Sequence, residues 1–261
     1  VSGVLPDVPN FRDSGGLTTG SLRPGLVYRS AQLSPLTDED SERLRALDVR
    51  AVFDLRTADE VSHRPDTLPE GLDAMVLDVL ADRPHSGAAA VASLVTAKKD
   101  QTTVEDVNDA VRDGRARDLM IQTYRYLVSL PSAHAAYRTL LSSLARGTGA
   151  SVIHCTAGKD RTGWAIALLQ GLGGASTDDV LADYLLSNVA MEVAYRPMLD
   201  AFADAGGDAE SLSHMILVRP EYLDAALTLM RSVHGDLDGY LARGLMLSSD
   251  EIDRLRTRLL A

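Results

Sequence analysis

Cysteine is all but absent: the 261 residues hold one, Cys155. A single thiol excludes an internal disulfide framework and any zinc site built from several cysteines. Lysine is scarce as well. Lys98, Lys99 and Lys159 are the three lysines among 26 basic residues, arginine supplying the rest, so a lysine inside a motif stands out. No apolar run approaches the ~20 residues of a membrane-spanning helix; Trp164–Leu169 stops at Gln170, and an integral membrane protein is not expected. Positive charge is in deficit, with 37 acidic residues giving a net charge of −11. That balance argues against a nucleic-acid partner or general attraction to anionic membranes, leaving room for a local basic patch. The chain opens on Val1 rather than Met, so the lack of a visible signal peptide leaves the compartment open between cytoplasm and exterior. Repeats, linkers and low-complexity blocks are missing too, which reads as one domain over residues 1–261.

What remains is ordinary globular composition, 45% hydrophobic and 24% charged, in a chain long enough to bury about 70% of its surface without metal or disulfide support. Leu26–Ser30, Ala51–Leu55, Met75–Leu80 and Ser151–His154 read as strands; the second is an apolar, β-branched run suited to a buried parallel sheet. Thr37 caps a helix running to Ala46, and Leu119–Leu130 and His134–Leu144 have helical apolar spacing, with Pro131 between them. A further helix begins near Arg161 and ends at Gly171–Gly174; Ser176 and Asp179 resemble a capping box for the next. Residues 83–116 read as an insertion of loops and short helices. Helices alternating with buried strands predict an α/β layered fold, a mostly parallel central sheet flanked by helices.

The chemistry concentrates in Val152–Gly163, which leaves a strand and opens a helix, where successive peptide N–H groups can point at an anion. Cys155 and Arg161 bracket five residues, a spacing that can curl around one tetrahedral phosphate. The thiol then sits below phosphorus and the guanidinium grips two oxygens. A free thiol is about 3% ionised at pH 7, so full ionisation gains only about 30-fold. Oriented donors for the transferring phosphoryl and protonation of the leaving oxygen must contribute more. Thr162 can donate to the thiolate when sulfur becomes the leaving group. An isolated cysteine would read as a buried, inert hydrophobe, but Gly158, Arg161, Thr162 and Gly163 at a strand-to-helix junction point to a nucleophile. A Walker loop is excluded because Asp160 follows Gly158-Lys159 where Ser or Thr is needed, and position 153 is Ile. Zinc fits no better: His154 adjoins Cys155 without a second ligand pair, and the remaining histidines lack ligand spacing. A thiol-based reductase would need a resolving cysteine.

His154-Cys155-x5-Arg161-Thr162 resembles the signature of cysteine-dependent protein tyrosine phosphatases. The fuller Ala157–Gly163, with Asn10–Asp13 upstream, Asp54-Leu55-Arg56, Ala182–Asn188 and Val218–Leu223, is similar to their bacterial branch over nearly the whole chain, most weakly at 83–116 and 190–217. The resemblance implies a tyrosine-phosphatase-like fold with a helical lid, independent of metal and cofactor. It implies phosphoprotein substrates, phosphotyrosine first, with phosphoserine/threonine and phosphoinositides as further classes. Cys155 is the expected nucleophile, Arg161 the phosphate clamp, and Thr156, Ala157, Gly158, Lys159, Thr162 and Gly163 the rest of the phosphate loop, with His154 in support.

The resembled branch associates the general acid with the aspartate inside the loop, here Asp160. A carboxyl facing a thiolate and a phosphate dianion is favoured in its protonated, donating form. Alternatively Asp160 shapes the loop by pairing with an arginine, and Asp78 or Asp82 is the acid. Lys159 reads either as a cation that accepts further phosphates of an inositol ring or as a solvated charge. Arg12 and Asp13 read either as a polar pair beside the loop or as a salt bridge and turn cap. The Met-rich stretch 189–217, broken by Ala205-Gly206-Gly207, suits a lid over the substrate ring, with plain core helices as the alternative. Against turnover stands a phosphate-recognising module of the same fold that has lost it; the presence of nucleophile, arginine and candidate acid together favours the enzyme.

Overall fold

In the computed structural model, which describes residues 5–16, 22–83 and 103–260, five strands form one sheet in the order β1-β2-β5-β3-β4. They are β1 (Arg12–Asp13), β2 (Val27–Ser30), β3 (Val49–Asp54), β4 (Asp73–Val76) and β5 (Ala150–His154). All neighbours run parallel except β1, which is antiparallel to β2. Strands β2 and β5 are buried at every position, as continuous apolar runs covered on both faces require. The register sets Ser30, His154 and Asp54 side by side at the carboxyl edge, where ligands of parallel sheets bind.

Strand β4 covers 73–76, not the expected 75–80. Asp78 ends it: one carboxylate oxygen accepts from the Leu80 N–H at 3.0 Å and the other from the Ala58 N–H at 3.0 Å, turning the chain away from the sheet. Helix α1 (Asp38–Ala46) carries a full capping box from Thr37 and Asp40, and α2 (Ala58–His63) one from Thr57 and Glu60. Within the expected insertion, α3 (Val104–Val111) is helical, and residues 84–102 lie outside the described residues. Helices α4 (Arg115–Ser129) and α5 (Pro131–Arg146) start earlier than their apolar spacing indicated. Pro131 opens α5 at a position whose N–H has no helical partner anyway.

Helix α6 (Arg161–Leu172) is buried at every residue but Gly171, as a helix apolar all round must be. Ser176 caps α7 (Thr177–Leu185) by accepting from the Asp179 N–H, but the Asp179 carboxylate accepts from the Ser176 hydroxyl instead of completing the box. The 189–217 stretch forms α8 (Ser187–Asp204) and α9 (Ala209–Ile216), followed by α10 (Pro220–His234) and the final α11 (Ser249–Leu259). One core face packs α4–α6 and α10 on the sheet; a second, with Phe11, Tyr28, Val52 and Val152, lies against the N-terminal segment and α1. A third cluster joins α8 and α9 to Val111 and Ala116, and Ala157 and Tyr195 pack against it. Among the described residues no helix is long and apolar enough to cross a membrane.

Candidate active site

The loop from Cys155 to Asp160 links β5 to the first turn of α6, bringing the motif residues together at the carboxyl edge of the sheet. Its carbonyls are tied outward. Gln32 N–H donates to Thr156 O at 3.2 Å, the Asn10 side chain to Ala157 O at 3.1 Å and to Gly158 O at 2.9 Å, and Arg29 to Gly158 O at 2.8 Å. The peptide N–H groups of Thr156–Asp160 bond to no other described residue, leaving a run of donors suited to an anion. Gly158 has φ +67° and lies so close to Ser30 that a Cβ would collide with its carbonyl. At Gly163 a Cβ would crowd the Tyr184 ring at 3.2 Å, so glycine lets α6 begin against α7.

Cys155 is only 2% exposed and lies within electrostatic reach of Arg161 and of Tyr195 of α8. The Arg161 guanidinium meets Glu60 bidentately, Nη1 to Oε2 at 2.5 Å and Nη2 to Oε1 at 2.8 Å. Thr156 donates its hydroxyl to the same carboxylate. Burial opposes both charges, yet they sustain each other. Arg161 stays above the ordinary arginine range, chiefly through Glu60, and Arg161 with Thr156 and the Thr57 N–H holds the Glu60 carboxyl down to about 2. Arg161 Nε and the Thr162 hydroxyl are buried with no partner among the described residues. A guanidinium held this way keeps Nε for a substrate oxygen. Glu60 carried no mark as a functional residue in the sequence, although Thr57-Ala-Asp-Glu60 is a legible capping box just after the strand that ends at Asp54.

Asp160 caps no helix with its side chain. Oδ1 accepts from the Tyr124 hydroxyl at 2.8 Å and Oδ2 from Lys159 Nζ at 2.7 Å. Its immediate partners are thus a phenol and an ammonium, not the pairing with an arginine that was the alternative. Lys159 is 2% exposed, which corrects the reading of it as a solvated charge: the ammonium is buried against the adjacent Asp160 carboxylate. Asp78 is occupied by the Ala58 and Leu80 N–H groups, and Asp82 accepts from Ser132 N–H at 2.7 Å at the start of α5, so both act as caps.

Arg12 stands behind the loop. It bonds Asn10, which holds two loop carbonyls, and Asp183 at 3.3 Å. Asp13 does not join it there: its carboxylate accepts from the Gly15 and Gly25 N–H groups at 2.8 and 2.6 Å, a turn cap. Asp183 also pairs with Arg29 at 3.3 Å and accepts from Gln170 at 3.1 Å. The Ala182–Asn188 motif therefore buttresses the loop from α7. Below the loop, His154 Nε2 lies 3.0 Å from Asp66, and Arg56 bonds both Asp54 and Asp66. Asp54, Asp66 and His154 come close enough to share an ion, but the Arg56 guanidinium already bonds both carboxylates and closes the network. Burial raises Asp66, and His154 and Arg56 more than offset it, holding its carboxyl below the usual range.

Residues 4–261 match the tyrosine phosphatase family. The chain is 34% identical to the triple specificity protein phosphatase PtpB of Mycobacterium tuberculosis over 98% of each chain. It is 29% identical to a tyrosine-protein phosphatase of Nostoc commune over 98% of this chain and 82% of that one. A cradle of unpaired amides facing a clamped arginine is what hydrolysis of a phosphate ester requires, and the likeness extends from end to end: this chain belongs to the tyrosine phosphatase family and is a protein-tyrosine phosphatase, a phosphoric monoester hydrolase.

Proposed function

We propose that hydrolysis runs through a cysteinyl-phosphate on Cys155. The sulfur forms the S–P bond as the ester P–O bond breaks, and Asp160 gives its proton to the leaving oxygen. Water then attacks phosphorus, Asp160 takes its proton, and the S–P bond breaks to return thiolate and inorganic phosphate. Arg161, through the unpartnered Nε and the Nη2 hydrogen that otherwise makes a long bond to Thr156 Oγ1 at 3.5 Å, and the N–H groups of the loop from Thr156 through Lys159 hold the phosphoryl oxygens, while Thr162 donates to the departing sulfur. Gly163 lets the helix start at the loop, and His154 fixes the strand end beneath the nucleophile. The observation that carries this reading is the outward tethering of three successive carbonyls, which leaves the amides beside Arg161 free for an anion.

Phosphotyrosine in phosphoproteins is the first substrate class, with phosphoserine/threonine and phosphoinositides beside it. The mycobacterial relative named for triple specificity supports that breadth. Helices α8 and α9 serve as a lid: their apolar cluster reaches Ala157 of the loop, and Tyr195 sits where Cys155 and Asp160 act on it. Phosphate release from phosphotyrosine and phosphoserine/threonine peptides and from phosphoinositides, with Cys155→Ser as the blank, tests the reading. Turnover on phosphotyrosine is expected to be highest and to vanish in the variant, and a Cys155→Ser protein that still releases phosphate steadily overturns it.

A further inference from the structure

Behind the catalytic loop lies a buried polar chain whose member nearest the loop, Tyr124, belongs to none of the motifs, whereas Tyr184 and Tyr222 fall within Ala182–Asn188 and Val218–Leu223. Tyr124, in the middle of α4, is fully buried and reaches the Asp160 carboxylate from the protein interior. Its hydroxyl donates to Oδ1, so the Tyr184 hydroxyl, 2.6 Å away on α7, is the donor to Tyr124. The rings are locked as well as the hydroxyls. Tyr124 packs edge-on to Tyr184 with centroids 6.1 Å apart and tilted against Tyr222 of α10 at 5.8 Å. Three helices distant in sequence thus converge on Tyr124, which alone of the three tyrosines reaches the carboxylate. Burial, with the Asp160 charge next to it, holds the Tyr124 phenol well above its ordinary value, so it remains a donor throughout.

We propose that Tyr124 is a positioning residue for proton transfer: it keeps Oδ1 of Asp160 turned to the interior and presents Oδ2, the oxygen shared with Lys159, as the one that carries the proton. The inference rests on the reading of Asp160 as the general acid. In the transfer the Oδ2–H bond breaks and the O–H bond of the leaving alcohol forms. Tyr124 keeps its own proton, and its hydrogen bond fixes the carboxyl plane while charge returns to it. A carboxyl freed from this bond has two equivalent oxygens and an open torsion, and geometry lost at the proton donor slows only those reactions whose leaving group needs the proton.

The test is leaving-group dependence in the full chain. Tyr124→Phe removes one oxygen and retains the ring, and melting curves of variant and parent confirm the fold. On phosphotyrosine, a poor leaving group, kcat/KM, which reports the steps through S–P bond formation and not the later hydrolysis, is expected to fall about ten- to a hundredfold, the worth of one hydrogen bond to a charged group. On 2,4-dinitrophenyl phosphate, whose leaving oxygen departs without a proton, kcat/KM is expected to stay within about twofold, since the thiolate, Arg161 and the amides are untouched. Asp160→Asn run beside it separates the two ideas. A selective loss in Asp160→Asn with an equal loss on both substrates, or none, in Tyr124→Phe overturns the positioning role alone. No leaving-group selectivity in Asp160→Asn overturns the acid and the positioning role together. Should Tyr124→Phe not fold, Tyr184→Phe, which leaves the Tyr124–Asp160 bond in place but removes the donor behind it, is expected to show a smaller loss confined to phosphotyrosine; a loss equal on both substrates counts against the chain.

Discussion

Glu60 shows how much of the site depends on one residue outside the signature loop. It orients the Arg161 guanidinium, accepts from Thr156 and completes the cap of α2. Glu60→Gln leaves a buried guanidinium short of its counter-charge and is expected to cost roughly 3 kcal/mol at pH 7 in urea unfolding. The cost has a pH signature. The folded carboxyl ionises at about 2 against 4.5 for the unperturbed group, so the parent's advantage is complete above about pH 5 and shrinks as pH falls from there toward 2. A stability gap that stays constant from pH 7 to pH 3 would remove Glu60 from this role. Gly158→Ala tests the cradle itself: with φ +67° and the Ser30 carbonyl in the way, the loop must shift. A displacement near 1 Å at the reacting centre is expected to lower kcat about a hundredfold, and a variant with the parent's kcat speaks against a rigid cradle. The meeting of Cys155, Arg161 and Thr162 at one loop was legible because the three lie within eight residues of chain. Glu60, Arg29 and Tyr124 were not, because each reaches the loop across the fold and sequence spacing carries no record of such contacts. Asn10 belonged to the upstream motif, but its hold on the loop carbonyls was equally invisible. The solvated reading of Lys159 failed for a related reason. A lone lysine beside a phosphate loop reads as exposed until its neighbour's carboxylate is seen to take it inside.

At the scale of elements, periodicity found the long helices and the buried strands, and it failed where a polar side chain ends an element. Met75–Leu80 alternates plausibly, yet Asp78 turns the chain after Val76 by accepting two N–H groups. The most consequential element is the α8–α9 pair, whose Met-rich composition left open whether it was lid or core. It rests on a small apolar cluster apart from the main core, presents Val189 and Val193 to solvent, and carries Pro197 inside α8. A proline there removes one helical hydrogen bond, and limited burial lowers the cost of local opening. Amides of 190–199 are therefore expected to exchange faster than those of α6 in the free protein and to slow when vanadate fills the phosphate site. Hydrogen exchange read by mass spectrometry decides it: protection equal to that of α6 without ligand makes the pair a fixed part of the core.

For the molecule as a whole, charge works at two ranges with opposite sign. In the proposed reaction Arg161 and the loop amides attract a phosphoryl dianion over a few ångströms, whereas the net charge of −11 repels an anionic surface as far as the Debye length allows, about 30 Å at 0.01 M salt and 8 Å at 0.15 M. The proposed phosphoinositide activity exposes the conflict, because the same headgroup can be offered free or embedded in an anionic bilayer. With a water-soluble, short-chain phosphoinositide, added salt competes with the phosphate at the loop, and kcat/KM is expected to fall modestly. With the headgroup in vesicles rich in anionic lipid, salt first screens the repulsion between protein and surface, and kcat/KM is expected to rise between 0.01 and 0.15 M before it declines. Diluting the anionic lipid with zwitterionic lipid should remove the rise. Turnover on anionic vesicles that drops steadily with salt from the lowest concentration would mean that a local basic face, not the overall charge, governs the approach to the membrane.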